Sequence, residues 1–212
     1  MKPYLVKTPK FVQRIFPERI WALPNNNNSV FLTFDDGPIP EVTPWVLETL
    51  KQYDAKASFF CIGDNVHKHP KVFNQLIEEG HSIGNHTFNH LNGWKTKNDH
   101  YINNCNLLKD SIKSFNGVKL FRPPFGKLTF KQSKNLQKEG YRIIMWEVLS
   151  ADFDKNISKE KCLENVLKNI KVGSIVVFHD SLKSNKKLRY VLPKVLEHIK
   201  SNKWNCARIN LT

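Results

Sequence analysis

Two adjacent acids, Asp35 and Asp36, close an apolar run in the segment FLTFDDGP, Phe31 to Pro38. Neighbouring carboxylates repel, so both stay ionised only beside a cation or with a proton shared between them. Asp and Gly are also ordinary turn residues, and the tripeptide alone points more to a solvated turn than to chemistry. His86 and His90 stand four apart in HTFNH. That gap predicts both imidazoles on one face of a helical turn, a spacing that suits a metal ion. Joined by a carboxylate that follows a separate strand, the pair becomes a two-His, one-carboxylate set. Such a set leaves coordination positions open, as catalysis requires. Arg122 leads RPPFG, where two prolines stiffen the backbone beside a fixed positive charge. Alone it reads as a surface arginine on a loop. His179 ends the apolar run IVVF and meets Asp180. A histidine at a strand mouth can donate a proton near neutral pH, and a satisfied buried histidine is an equal competitor. His67, His69, His81, His100 and His198 lack such placement and read as structural or surface residues.

The elements that must position these groups are short and regularly spaced. Strand-like runs are expected at Val30–Phe34, Ala57–Ile62, Ser82–Asn85, Lys119–Arg122, Tyr141–Trp146, Ile175–Phe178 and Cys206–Ile209. Amphipathic helical patterns fall between them, at Pro44–Tyr53, Lys71–Glu79, Tyr101–Phe115, Thr129–Glu139, Lys159–Ile170 and Leu188–Ser201. Gly80, Gly117, Gly140 and Gly173 sit where left-handed helix stops are expected. Strands alternating with helices predict a parallel sheet, either open and doubly wound or closed into a small barrel. Polar residues then follow the strands in turn: Asp35 and Asp36, His86 and His90, Arg122, Asp152, His179. In barrels of parallel strands catalytic groups gather at the C-terminal strand ends, and solvation alone does not produce this pattern.

The chain has 212 residues, a length that one α/β domain accommodates. Its net charge of +14 favours encounter with anionic surroundings and speaks of solubility rather than reaction. Cys61, Cys105, Cys162 and Cys206 form no close pairs, so a disulfide scaffold and a zinc ribbon are not indicated, and reduced core thiols are expected. Lys2, Lys7, Lys10, Arg14, Glu18 and Arg19 break up the N-terminal apolar residues, leaving no visible secretory signal. No run approaches the ~18 apolar residues of a membrane span. The default expectation is a cytoplasmic protein, with export by another route left open. Asn25 to Asn28 separate a basic N-terminal extension, residues 1–28, from the body at 29–212.

Taken together, TFDDGP, HTFNH, RPPFG, SADF and VFHD, in that order, resemble the five motifs of the polysaccharide deacetylases. This is the NodB-homology group, or carbohydrate esterase family 4, and the resemblance runs from about Ser29 to the C-terminus. It implies a distorted (β/α)7 barrel in a single domain. It also implies a divalent metal, zinc foremost with cobalt or nickel as substitutes, and removal of N- or O-acetyl groups from sugars such as N-acetylglucosamine. Carried over by motif, Asp35 is the general base and Asp36, His86 and His90 are the metal ligands. Arg122 orients Asp35, His179 is the general acid with Asp152 as partner, and the Phe125 N–H helps hold the oxyanion.

The motifs depart from the family pattern at three places. The usual D-x-x-D-W is here Leu149-Ser-Ala-Asp152-Phe153, the usual L-x-H has Val177 in place of leucine, and Phe125 stands where tyrosine is common. Phe153 and Val177 still offer an apolar wall for the acyl group, whose size preference stays open. The resemblance leaves the sugar open among chitin oligomers, peptidoglycan, a capsular polysaccharide and a small acetylated metabolite. An anionic cell-wall polymer is a further expected partner, and a specific nucleic acid is not. Two rivals compete with hydrolysis: a His-His-carboxylate iron oxygenase, and a non-catalytic sugar- or polyanion-binding module. Asp35, Arg122 and His179 argue against both, since neither needs a base paired with an acid.

Overall fold

The computed structural model describes residues 4–24, 27–108 and 118–211. A short helix α1 (Lys10–Ile15) precedes β1 (Ser29–Asp35), α2 (Thr43–Gln52), β2 (Ser58–Cys61), α3 (Gly63–Lys68), α4 (Pro70–Glu78) and β3 (Ser82–Asn85). The chain continues through α5 (Asn98–Asn106), β4 (Lys119–Phe121), α6 (Phe130–Lys138), β5 (Tyr141–Ile143) and β6 (Val148–Leu149). It ends with α7 (Lys159–Leu167), β7 (Ile175–His179), α8 (Asn185–Ser201) and β8 (Asn205–Cys206).

All strand pairs are parallel, in the order β5-β4-β3-β2-β1-β7-β6, with β8 joining the start of β1. This resolves the choice between open sheet and barrel in favour of a distorted barrel of parallel strands. Side chains of successive strand residues point to opposite faces. Val30, Leu32 and Phe34 of β1 accordingly join Phe59, Val176 and Phe178 in the layer under the helices. There the Phe34 ring stacks on Phe59 at 5.0 Å and on Phe178 at 5.8 Å. Burying each such side chain stabilises the fold by ~1.5–3 kcal/mol. On the opposite face Phe60, Leu120, Ile144 and Ile175 fill the barrel interior. Asp35 continues the interior face of β1 through Phe31 and Thr33, and His179 continues that of β7 through Ile175 and Val177.

Several elements differ from the sequence expectation. The run Tyr141–Trp146 leaves the sheet after Ile143, and the chain re-enters it as β6 on the far edge of the barrel. Between those edges lies the N-terminal segment. Ile20 bridges Ile144 in parallel, and Lys7 bridges Val148 in antiparallel. Backbone bonds from Met145 N to Ile20 O (2.7 Å), Leu149 N to Val6 O (2.8 Å) and Thr8 N to Glu147 O (2.8 Å) continue the seam. A strand whose partners change twice within nine residues carries no single periodic signature, which is why β6 was not expected. Helices α1 and α3 were likewise unexpected, being only six residues each. The helix expected over Tyr101–Phe115 is observed at Asn98–Asn106; residues 109–117, with the expected stop at Gly117, lie outside the described residues. Gly80 (φ +76°) and Gly140 (φ +85°) are left-handed just beyond their helices, as expected.

Candidate active site

The ends of β1, β3, β4 and β7 converge on one rim. Register places Asp35 of β1 directly beside His179 of β7 and beside Phe60 of β2. Asn85 pairs with Phe121, so His86 and Arg122, each one residue further on, leave the sheet together.

Arg122 is fully buried, and its Nη1 donates to Asp35 Oδ1 at 2.7 Å and to Thr33 Oγ1 at 2.7 Å. Nε donates to Ile144 O (3.2 Å) and Nη2 to Met145 O (2.9 Å), while the guanidinium lies 4.1 Å from the Phe60 ring centre. Burial lowers its pKa and Asp35 opposes that shift. A guanidinium with its hydrogen bonds met on several sides holds one orientation, and Asp35 is held with it. Thr33 was missed at the sequence level, although the two-residue strand period already puts it on the face of Asp35.

Asp36 turns into a left-handed conformation (φ 83°), and its carboxylate meets the histidines while that of Asp35 meets Arg122. Its Oδ1 is buried with no hydrogen-bond partner, yet lies 3.3 Å from His90 Nε2 and 3.8 Å from His86 Nε2. An orphaned buried carboxylate oxygen is costly unless something else satisfies it. His86 Nδ1 lies 2.8 Å from Arg122 O, which can only accept, so that nitrogen is the donor and Nε2 carries the lone pair. Burial, then the neighbouring His90, pushes the His86 pKa down to about 3, and burial lowers that of His90. Asp36, His86 and His90 thus present three ligand atoms within 4.8 Å of one another, with the imidazoles neutral. This donor set fits a divalent metal ion.

The expected helical turn across the histidines is not formed. Thr87 (φ 62°) and His90 (φ 54°) are left-handed, and side chains in place of helical bonds satisfy the backbone. Thr87 N donates to Asn85 Oδ1 (2.8 Å); Phe88 N (2.9 Å) and Asn89 N (3.1 Å) both donate to Asn104 Oδ1. Asn and Thr side chains offer the backbone such alternatives to helix, and here they prevail. Asn104 reaches this loop from α5, and no local sequence signal marks it.

At the end of β7 both oxygens of buried Asp152 accept from His179, from Nδ1 at 2.7 Å and from the backbone N at 2.8 Å. Burial disfavours the imidazolium, but the charge and hydrogen bond of Asp152, with Asp36 and Asp35, override it and raise the pKa to about 9. The Phe153 ring meets His179 edge-on at 5.1 Å, and Val177 lies buried two residues before His179. Phe125 (φ 60°) is left-handed, largely exposed, and packs edge-on against His90 at 4.6 Å. Two further residues, Asp180 of VFHD, given no role by the sequence, and Asn65, which no motif marks, support the site. Asp180 accepts from Gly37 N (3.0 Å) and Thr43 Oγ1 (2.6 Å), and Asn65 Nδ2 donates to Asp36 O (2.7 Å). Together they brace the loop that carries Asp36. A Cβ on Gly37 would overlap the Asp180 carboxylate, so the glycine is required by close approach. The ten residues expected at the site therefore lie on or beside one rim, and the helical geometry expected of the histidine pair is corrected.

A family model described as polysaccharide deacetylase matches residues 22–144. A peptidoglycan N-acetylglucosamine deacetylase of Bacillus cereus is 36% identical over 195 residues, covering 90% of each chain. A chitooligosaccharide deacetylase of Azorhizobium caulinodans is 34% identical over 158 residues, covering 73% of this chain and 75% of the relative. Among solved structures, a peptidoglycan N-acetylglucosamine deacetylase in complex with 4-naphthalen-1-yl-N-oxidanyl-benzamide superposes with a TM-score of 0.83 at 32% identity, covering 93% of each chain. With the barrel, the rim and these similarities in agreement, the chain belongs to the polysaccharide deacetylase family, the NodB-homology carbohydrate esterases of family 4.

Proposed function

We propose that this carbohydrate deacetylase hydrolyses the acetamido group of N-acetylglucosamine units within a glycan, with Asp35 as general base and His179 as general acid. The observation that carries the reading is the β1–β7 register, which sets Asp35 and His179 side by side next to the Asp36–His86–His90 cluster. Asp36, His86 and His90 are assigned to a divalent metal, with zinc favoured because imidazole and carboxylate suit it and cobalt or nickel able to substitute. When bound, the ion supplies Lewis-acid charge that polarises an acyl oxygen and acidifies water.

The remaining work falls to the chain's own side chains. Arg122 holds the Asp35 carboxylate so that its free oxygen accepts a proton from the attacking water. Asp152 holds the His179 ring by Nδ1, leaving Nε2–H to pass its proton to the departing amine. A pKa near 9 keeps that imidazolium protonated at neutral pH before the leaving group forms. The Phe125 N–H is assigned to the developing oxyanion, and Phe153 with Val177 to the wall around the acetyl methyl. The basic segment to residue 28 is read as an extension of the catalytic domain that begins near Ser29. The acid–base pairing disfavours both an oxygenase and a simple binding module, which need no proton donor opposite a base.

The test is metal content and acetate release from N-acetylglucosamine oligomers, measured side by side for two variants. Asp35→Asn is expected to keep metal and lose ~10²–10⁴-fold in rate, while Asp36→Ala loses metal. Full activity with full metal in both variants would overturn the mechanism; metal loss in Asp35→Asn alone would reverse the two roles.

A further inference from the structure

A cleft of about 750 Å3 has Phe153 in its lining and none of the metal-cluster residues Asp36, His86 and His90. Its volume falls in the ~300–1,000 Å3 range of ligand sites. Phe153 joins it to the reaction site, with one edge contact to His179 at 5.1 Å and another to Tyr4 at 5.6 Å. Tyr4 belongs to none of the five motifs. The N-terminal segment delivers it by pairing along the barrel seam, where Leu149 N donates to Val6 O. Leu182, 62% exposed, faces the same cleft from the loop after β7.

The charges around the cleft are unevenly engaged. The one acid, Asp154, accepts from the Tyr4 hydroxyl (2.8 Å) and from Asn156 N (2.9 Å). Lys187 is held by the backbone oxygens of Asp154 (2.5 Å) and Asp152 (3.4 Å). Lys155 and Lys183 also line the cleft, both exposed and with no carboxylate partner among the described residues. The Lys183 ammonium lies 5.5 Å from the Phe153 ring centre. Aromatic and aliphatic faces suit the C–H face of a sugar ring, and two exposed ammonium groups without a carboxylate partner suit an anion beside it.

We infer that this cleft binds the sugar adjoining the one deacetylated and selects glycans that carry a carboxylate. Tyr4 and Leu182 flank the ring, while Lys155 and Lys183 meet the acid. The inference rests on the deacetylase reading and names the substrate class within it. Binding energy collected here, away from the scissile amide, enters kcat/KM through the remote part of the substrate.

The experiment compares a neutral N-acetylglucosamine tetramer with a carboxymethylated tetramer of equal length, using the full chain supplied with zinc. Acetate release gives kcat/KM for each, and calorimetric titration gives binding without turnover. The wild-type protein is expected to prefer the carboxymethylated tetramer. In a Lys155→Gln, Lys183→Gln double variant that preference falls by ~3–10-fold, mostly through KM, because exposed charge pairs each contribute modestly. The same preference shrinks with added salt. Tyr4→Ala raises KM for both tetramers, and Tyr4→Phe restores part of the loss. Equal preference in the wild type and the double variant, by turnover and by titration, would overturn the cleft assignment. Absence of acetate release with carboxylate-selective titration intact would instead overturn the deacetylase reading and leave the cleft standing.

Discussion

Asp152 shows how one buried carboxylate decides the protonation state of its neighbour. Burial favours the neutral His179 ring, yet the charge of Asp152 and its hydrogen bond to Nδ1 hold it as an imidazolium to about pH 9. Its protonated fraction, and with it the deacetylation rate, should therefore decline as pH rises through about 9. Asp152→Asn removes the charge that raises this pKa, moving the alkaline decline down by ~1–3 pH units. The pH profiles of kcat/KM for the two proteins check this, and an unmoved alkaline limb would assign the limb to another group. Stability follows the same sign. The folded-state pKa lies above the unfolded value of about 6.5, so the pair stabilises fully below that pH and loses its contribution as pH rises through about 9.

At the scale of elements, His86 and His90, the proposed metal ligands, depend on a loop whose shape α5 and β3 impose. Asn104 accepts from Phe88 N and Asn89 N and donates to Asn89 Oδ1 at 2.8 Å; Asn85 accepts from Thr87 N. A second tie comes from α6, where Thr129 and Gln132 form a reciprocal cap and Gln132 Nε2 reaches Gly93 O (2.9 Å) and Thr96 O (3.1 Å). Asn104→Leu preserves approximate size while leaving two backbone donors unmet, at a cost of ~1–3 kcal/mol. Denaturant unfolding and metal titration should show lower stability together with about 10–100-fold weaker metal binding, as for other supports behind a ligand. Unchanged metal affinity in a destabilised variant would show that the loop keeps its shape without this support.

For the whole molecule, the barrel is completed by a segment that sequence composition sets apart. Residues 6–8 hydrogen bond to the β6 edge and Ile20 bridges Ile144, covering backbone groups that would otherwise form an open sheet edge. Deleting the chain through Thr8 removes the β6 part of that cover. The expected loss is ~1–3 kcal/mol, or ~2–4 °C of Tm per kcal/mol at this chain length. A rise in self-association should accompany it, because an exposed edge pairs with other chains. Thermal melts and light scattering measure both effects; a truncated chain with unchanged Tm would show that the seam contributes nothing to stability.

Much of the site was legible in the sequence, for a physical reason. Strands have a two-residue period, so the alternation through Phe31, Thr33 and Asp35 already fixes which face the acid shares, and parallel strands put their C-terminal polar residues on one rim. Left-handed stops at Gly80 and Gly140 were likewise local, since only backbone conformation decides them. The relation between His86 and His90 was not local. Their four-residue gap suggests a helix, but Asn85 and Asn104 supply hydrogen bonds that a helix would otherwise make within itself. The bracing of Gly37 by Asp180, the hold of Arg122 on Asp35 and the Tyr4–Phe153 contact each join residues far apart in the chain. No periodicity encodes such pairs, because they exist only once the sheet order has brought β1, β4, β7 and the N-terminal segment together. The sequence by itself determined which groups reach the rim; the tertiary structure decided what each of them touches there, and so what protonation state and orientation it holds.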